Sequence, residues 1–234
     1  MGQAKSKDST QLTADADWPY VWALRDPSVL DWKQGLADEE ILKIHREQAN
    51  LPVAILPALY LGNCQCAQDL KKLESLGIRR VLNMAGPLAV PKHMGQEMQE
   101  RRMKYKVINA EDEAEYPLLE RHWDEVHAFL DVDGENEKVL VHCVAGMNRS
   151  GLVVAAEHLL SHRDTNVIDT VRHIRRQRGN VALQNEGFQE QLVAFARLHD
   201  RLGEAPQPLC ARTSMPSPEK RKKNPLDELV FLSF

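Results

Sequence analysis

The stretch Val139-Leu-Val-His-Cys-Val-Ala-Gly-Met-Asn-Arg-Ser-Gly151 constrains this chain more than any other. Its first residues are apolar and β-branched, as a buried strand requires, and residues 151–160 form an apolar run that reads as a helix. The residues between them must therefore form a short loop delivering the chain to a helix N-terminus. Free backbone N–H groups at such a terminus, with the helix dipole behind them, attract an anion. Within the loop, Cys143 sits beneath the predicted nest of amides, which favours the thiolate and lowers a thiol pKa from about 8.5 to roughly 3.5–7.5. Arg149 offers a planar fork of donors matching two oxygens of a phosphoryl group, and its hold tightens as charge develops on them. Gly146 lets the backbone wrap closely around an anion, and Ser150 places a hydroxyl where it can hydrogen-bond the sulfur. The reading is a phosphate site with its own nucleophile. If the segment were only structural, Cys143 would be a small buried hydrophobe and Arg149 a surface charge.

A thiol attacking a phosphate ester also needs an acid to protonate the departing oxygen. The segment 103–110 reads as a strand and runs into the acidic loop Glu111-Asp112-Glu113-Ala114-Glu115. By residue type alone, Glu111, Asp112 and Glu113 are all candidates.

His142, Cys143, Arg149 and Ser150 at this spacing resemble the signature of the cysteine-dependent protein tyrosine phosphatase superfamily. Leu59-Tyr-Leu-Gly-Asn63, the segment 69–85 and Asn185-Glu-Gly-Phe188 are similar to the dual-specificity branch of that superfamily. The resemblance implies an α/β fold in which a central mixed sheet is flanked by helices, with a helical C-terminal half. It implies hydrolysis of phosphotyrosine and of phosphoserine or phosphothreonine through a phosphocysteine intermediate, with phosphorylated proteins as partners and with no metal or cofactor. It selects Asp112, 31 positions before Cys143, as general acid and then general base. Val144, Ala145, Gly146, Met147, Asn148 and Arg149 become the substrate-binding loop, with His142 and Asn185 in support. Gln184 stands where the family usually has proline, and Ala156-Glu-His-Leu159 argues against the mitogen-activated-kinase phosphatase subgroup.

Loop residues 144, 145, 147 and 148 carry no charge, which favours phosphoproteins over phosphoinositides, whose extra phosphates call for additional basic residues. Asn148-Arg149 also resembles RNA triphosphatases of the same fold, so a 5′-triphosphate is the enzymatic alternative. From another class, a weakly active phosphoprotein-binding adaptor would use the same pocket without turnover.

The remainder of the chain bounds these readings. With 234 residues and a formal charge of −4, it fits one catalytic domain with extensions and has no global field to hold nucleic acid. Cys64, Cys66, Cys143 and Cys210 form no paired framework, and no leader or long apolar segment is evident, so a reducing cytoplasmic setting is expected. Strands are predicted at 59–61, 80–83, 104–109 and 138–142, alternating with helices at 67–76, 118–130, 151–160, 166–177 and 186–202.

Four regions follow. Residues 1–14 form a flexible tail, 15–50 a Trp-rich extension with a helix over 38–48, 51–203 the catalytic domain, and 204–234 a largely disordered Pro- and Lys-rich tail. Trp18, Trp22 and Trp32 are expected to pack on the core, with a partner-binding helix as the alternative. Met1-Gly2-Gln-Ala-Lys-Ser6 fits the N-myristoylation pattern at Gly2, giving weak and reversible membrane attachment. The run Lys220-Arg-Lys-Lys223 is a solvated charge run, with an electrostatic membrane contact or nuclear import as its other readings.

Overall fold

The computed structural model describes residues 16–131 and 137–206. Gly2, Cys210, the Lys220–Lys223 run and the apolar last residues lie outside the described residues.

Strand β1 (Val53–Leu56) pairs antiparallel with β2 (Leu59–Gly62), and β2 runs parallel to β5 (Lys138–His142). On its other side β5 runs parallel to β3 (Ile78–Asn83), which in turn pairs with β4 (Lys104–Val107). The sheet order β1-β2-β5-β3-β4 puts β5 at the centre. The register aligns Gly62, His142 and Asn83, so the parallel strands end together and their following loops share one edge. Ligands of open α/β sheets bind outside such carboxyl ends.

Period-2 alternation divides the strands between two cores. Leu59, Leu61, Leu82, Val139 and Val141 face one apolar cluster, whereas Tyr60, Val81 and Leu140 face the other. The second face is covered by α3 (Leu70–Ser75) and α4 (Met94–Glu100) through Leu70, Leu73, Met94 and Met98. The first is covered by α5 (Leu118–Leu130), α6 (Arg149–Ser161), α7 (Val167–Arg178) and α8 (Glu186–Leu198). Helix α6 is buried from Ser150 to Ala156, on every side, because it lies between the sheet and the outer helices. Asn166 and Asn185 cap α7 and α8 by accepting from Asp169 and Phe188 N–H.

The elements depart from the expected pattern at identifiable places. The helix expected over 67–76 is a 3-10 turn at Cys66–Gln68 followed by α3, because Asp69 leaves helical geometry and its carboxylate accepts from Lys72 N–H. Strand β4 ends two residues early, although Ile108 N–H still reaches Asn83 carbonyl and Ala85 bridges Asn109. Helix α8 ends at Leu198, four residues short of expectation. The chain then turns through Asp200 at φ +55° while Arg201 N–H bonds Ala196 carbonyl. Strand β1 and helix α4 were not anticipated.

Helix α1, described over residues 16–25, contributes Tyr20, Val21 and Leu24 to the larger core, and Leu30 follows them. Trp18 and Trp22 are half-buried and Trp32 is buried. Asp17 pairs with Arg197 at 2.8 Å, and Arg25 pairs with Glu186 and Glu190 of α8 at 3.3 and 2.9 Å. Helix α2 (Asp38–Ala49) packs along α7. No helix among the described residues is long and apolar enough to cross a membrane.

Candidate active site

Strand β5 delivers His142 and Cys143 to the shared sheet edge, and the chain turns through residues 144–148 into α6. Cys143 is 1% exposed, and the Ser150 hydroxyl lies 3.2 Å from its sulfur. The loop between them has a regular orientation that comes from its carbonyls. His142 Nδ1 lies 3.2 Å from Cys143 carbonyl, and Cys64 N–H donates to Val144 carbonyl at 3.0 Å. Arg178 donates from Nη2 to Ala145 carbonyl at 2.9 Å and from Nε to Gly146 carbonyl at 3.0 Å. Leu183 N–H donates to Met147 carbonyl at 3.1 Å.

In a trans peptide the C=O and the following N–H point in opposite directions. Drawing each carbonyl from Cys143 to Met147 outward therefore turns the N–H groups of Val144 to Asn148 inward. Those N–H groups make no hydrogen bond among the described residues. Together they line the inside of the loop as a nest of free donors, the kind of concavity that suits an anion.

Gly146 is required at its position for two reasons. Its φ is +67°, and a Cβ there would fall 2.5 Å from Gly62 carbonyl oxygen and 3.0 Å from Asn63 nitrogen. The loop therefore lies directly against the backbone at the end of β2. Asn148 does not face the nest with its side chain. Its Oδ1 accepts from Gln184 and Asn185 N–H at 3.0 and 3.1 Å, which ties the loop to the start of α8.

The structure brings Asp112 to the same place from the segment after β4. Its carboxylate lies 3.5 Å from Arg149 Nε, and its Oδ1 accepts from Asn185 Nδ2 at 3.2 Å. Arg149 Nη1 also donates to Ala110 carbonyl at 3.1 Å. The contact to Asp112 is an ion pair and lacks hydrogen-bond alignment, so Nε has no hydrogen-bond acceptor among the described residues. Glu111, Asp112 and Glu113 are all exposed, but of the three only Asp112 makes an ion pair among the described residues, and it lies against the loop. The segment is further fixed by α8: Gly187 lies so close to Ala114 carbonyl that a side chain would collide with it. Gln191 donates to Tyr116 carbonyl at 2.8 Å.

His142 is wholly buried, and burial pushes its imidazole pKa down to about 4. Because Nδ1 faces a carbonyl, it carries the proton in the neutral ring. Nε2 is then bare and has no partner among the described residues. Burial pushes the Cys66 thiol up to about 11, and that thiol bonds Asn63 carbonyl at 3.1 Å. Burial raises Cys64 as well, with the neighbouring Cys143 adding to the effect. No group of three metal-ligating side chains occurs among the described residues.

Arg178 and Leu183 were absent from the sequence-derived site. Arg178 is hidden in the basic last turn of α7, where Arg175, Arg176 and Arg178 read as a complement to the helix dipole. Gly179 directly after it was the available signal that the helix stops there and the side chain is free to reach back.

An α/β sheet with an amide nest, a buried thiol and an arginine at the carboxyl edge of its central strand defines a phosphatase-type site. Residues 59–198, more than half of the chain, match the family described as dual specificity phosphatase, catalytic domain, and the chain belongs to that family. It is 36% identical to mouse dual specificity protein phosphatase 2 over 61% of this chain and 42% of the relative. It is 30% identical to human dual specificity protein phosphatase 6 over 82% of this chain and 45% of the relative. The chain thus spans less than half the length of these curated relatives.

Among solved structures, human DUSP28 matches with a TM-score of 0.52 at 22% identity, covering 64% of this chain and 97% of the other. A mouse putative dual specificity phosphatase, complexed with zinc tungstate, matches with a TM-score of 0.54 at 22% identity, covering 66% and 95%. These two likenesses concern the fold.

Proposed function

We propose that this chain hydrolyses phosphoprotein monoesters, on tyrosine and on serine or threonine, through a phosphocysteine intermediate. The observation that carries the reading is the Cys143 sulfur lying beside the Ser150 hydroxyl at the base of a loop whose carbonyls are all drawn outward.

In the first step the Cys143 thiolate attacks phosphorus, forming an S–P bond as the P–O bond to the substrate breaks. Asp112, protonated, gives its proton to the departing oxygen. The inward N–H groups and the Arg149 fork bind the non-bridging oxygens, whose charge the transition state redistributes. Arg149 exchanges its contact with Asp112 for the phosphoryl group when substrate enters. In the second step water attacks the phosphocysteine and gives a proton to the Asp112 carboxylate. The S–P bond then breaks, with Ser150 donating to the departing thiolate. Phosphate leaves, and Asp112 is again protonated. Asn185 positions Asp112 throughout by donating to Oδ1.

Phosphorylated proteins are the proposed partners. Attachment through a myristoyl group on Gly2 rests on the sequence pattern alone, as does a cytoplasmic location with membrane or nuclear alternatives. Intact mass of protein made in acylating cells tests the first, and an unchanged mass removes it.

The decisive experiment for the activity is hydrolysis of an aryl phosphate with chelator present, followed by acid quench. The expected result is turnover with phosphate trapped on Cys143, and loss of both in Cys143→Ser. Turnover that survives that substitution overturns the reading.

A further inference from the structure

The geometry points to residues 16–50 as an intramolecular brace for the catalytic loop, with Trp32 and Gln48 acting on it through Arg178 as positioning residues. These residues lie outside the segment that matches the family. The inference rests on the phosphatase reading for its kinetic readout but not for its binding readout.

The connection can be followed bond by bond. Trp32 is buried, and its Nε1–H donates to Asn180 Oδ1 at 3.0 Å, in the turn just beyond Arg178. Gln48, the last buried polar residue of α2, donates from Nε2 to Arg176 carbonyl at 2.8 Å and to Arg175 carbonyl at 3.3 Å. These are C-terminal carbonyls of α7, where the helix has few donors of its own to offer, and Arg175 carbonyl also accepts from Gly179 N–H at 2.8 Å. Gln48 Oε1 is itself fixed by His45 Nδ1 at 3.0 Å, and the His45 ring packs edge-on against Trp32 at 5.5 Å. An amide oxygen only accepts, so the His45 proton is on Nδ1 and Gln48 is oriented with its donor toward α7.

The extension thus holds both sides of Arg178, through Arg175 and Arg176 before it and Asn180 after it. Arg178 in turn orients two successive peptide units of the catalytic loop, and so the N–H groups of Gly146 and Met147. Its guanidinium also lies near enough to Cys143 to interact with a thiolate there. A second arm runs through Arg175, which is buried and donates to Ala182 and Leu183 carbonyls at 3.1 and 3.2 Å. Leu183 N–H then holds Met147 carbonyl. If the brace loosens, the amides that must point at an anion lose their fixed direction while the nucleophile and Arg149 stay in place. The loss then falls on oxyanion binding and on the transition state.

The test measures tungstate binding to the full-length Cys143→Ser protein by calorimetry, so no turnover is needed. Substitutions on that background are Trp32→Phe, which keeps an aromatic ring but removes the donor, Gln48→Met and Arg178→Met. Arg178→Lys supplies a second variant that retains the cation. Expected results are weakening of about threefold to tenfold for each extension variant and about tenfold or more for Arg178→Met, the range for one or two lost hydrogen bonds. In the cysteine-bearing protein kcat/KM falls in parallel. Trp32→Phe adds no further weakening once Arg178 is Met, because contacts in one network couple.

Variants that lower Tm yet bind tungstate within about twofold of the parent overturn the brace, as do Trp32 and Arg178 effects that multiply independently. Absence of tungstate binding in the unsubstituted background removes the phosphate site itself, and both readings with it.

Discussion

Acidification offers a direct measurement of how His142 is held. The buried ring has a pKa of about 4 in the folded protein, against an ordinary value of 6.5. Between these values the unfolded chain binds a proton and the folded chain does not, so stability falls as pH falls. The contribution is fully present above about 6.5, declines through the window and levels off below about 4. For a separation of this size the linkage relation gives about 2 kcal/mol lost between pH 7.5 and pH 5, and about 3 kcal/mol over the whole window.

Urea unfolding at the two pH values, in parent and His142→Asn proteins, reads the effect. Asparagine keeps a donor near Cys143 carbonyl but does not titrate. Burial and the neighbouring His173 and His162 also lower His158, but that contribution is common to both proteins and cancels in the difference. The parent should lose about 2 kcal/mol more than the variant, a relative midpoint shift on the order of 1 M urea. A difference below about 0.5 kcal/mol would show that the ring takes up a proton without penalty, and that a bare Nε2 in a dry site is the wrong description.

Other substitutions test other parts of the site. Asp112→Asn should slow phosphoenzyme formation by about 10²–10⁴-fold on phosphotyrosine peptides and much less on p-nitrophenyl phosphate, whose leaving group needs little protonation; equal rates with the parent on phosphotyrosine would remove Asp112 as the acid. Gly146→Ala should lower kcat/KM by roughly 10²-fold, since the loop must retreat from Gly62 carbonyl. Steady-state kinetics matching the parent would contradict the close approach. Gly187→Ala should push the Asp112 segment away from α8, lowering stability by about 1–3 kcal/mol and slowing poor leaving groups most. Chemical denaturation and a leaving-group series measure both, and a change in stability alone would detach Gly187 from catalysis.

What sequence reading could reach followed from locality. Cys143, Arg149 and Ser150 fall within one strand–loop–helix unit, so spacing alone nearly fixes their arrangement. Asp112 was singled out only through the family resemblance, across 31 positions, and its ion pair with Arg149 had no sequence signal. Arg178 was obscured because three arginines in one terminal turn look alike until the partner carbonyls are known. The missed β1 is a four-residue edge strand, Val-Ala-Ile-Leu, too short to show alternation. Helix α4 carries Gly95 near its start, which weakens its propensity. Asp69 could have warned of a break, since Asp favours N-cap positions over helix interiors.

The outward anchoring of the loop has a consequence for the order in which this protein becomes competent. Its orienting donors come from the residues just after β2, the end of α7 and the turn that follows, spread from Cys64 to Leu183. A nascent chain that has just emerged past Ser150 holds every reactive side chain but lacks the two later clasps. A product truncated before Arg178 would therefore carry Cys143 without the donors that orient the loop around it.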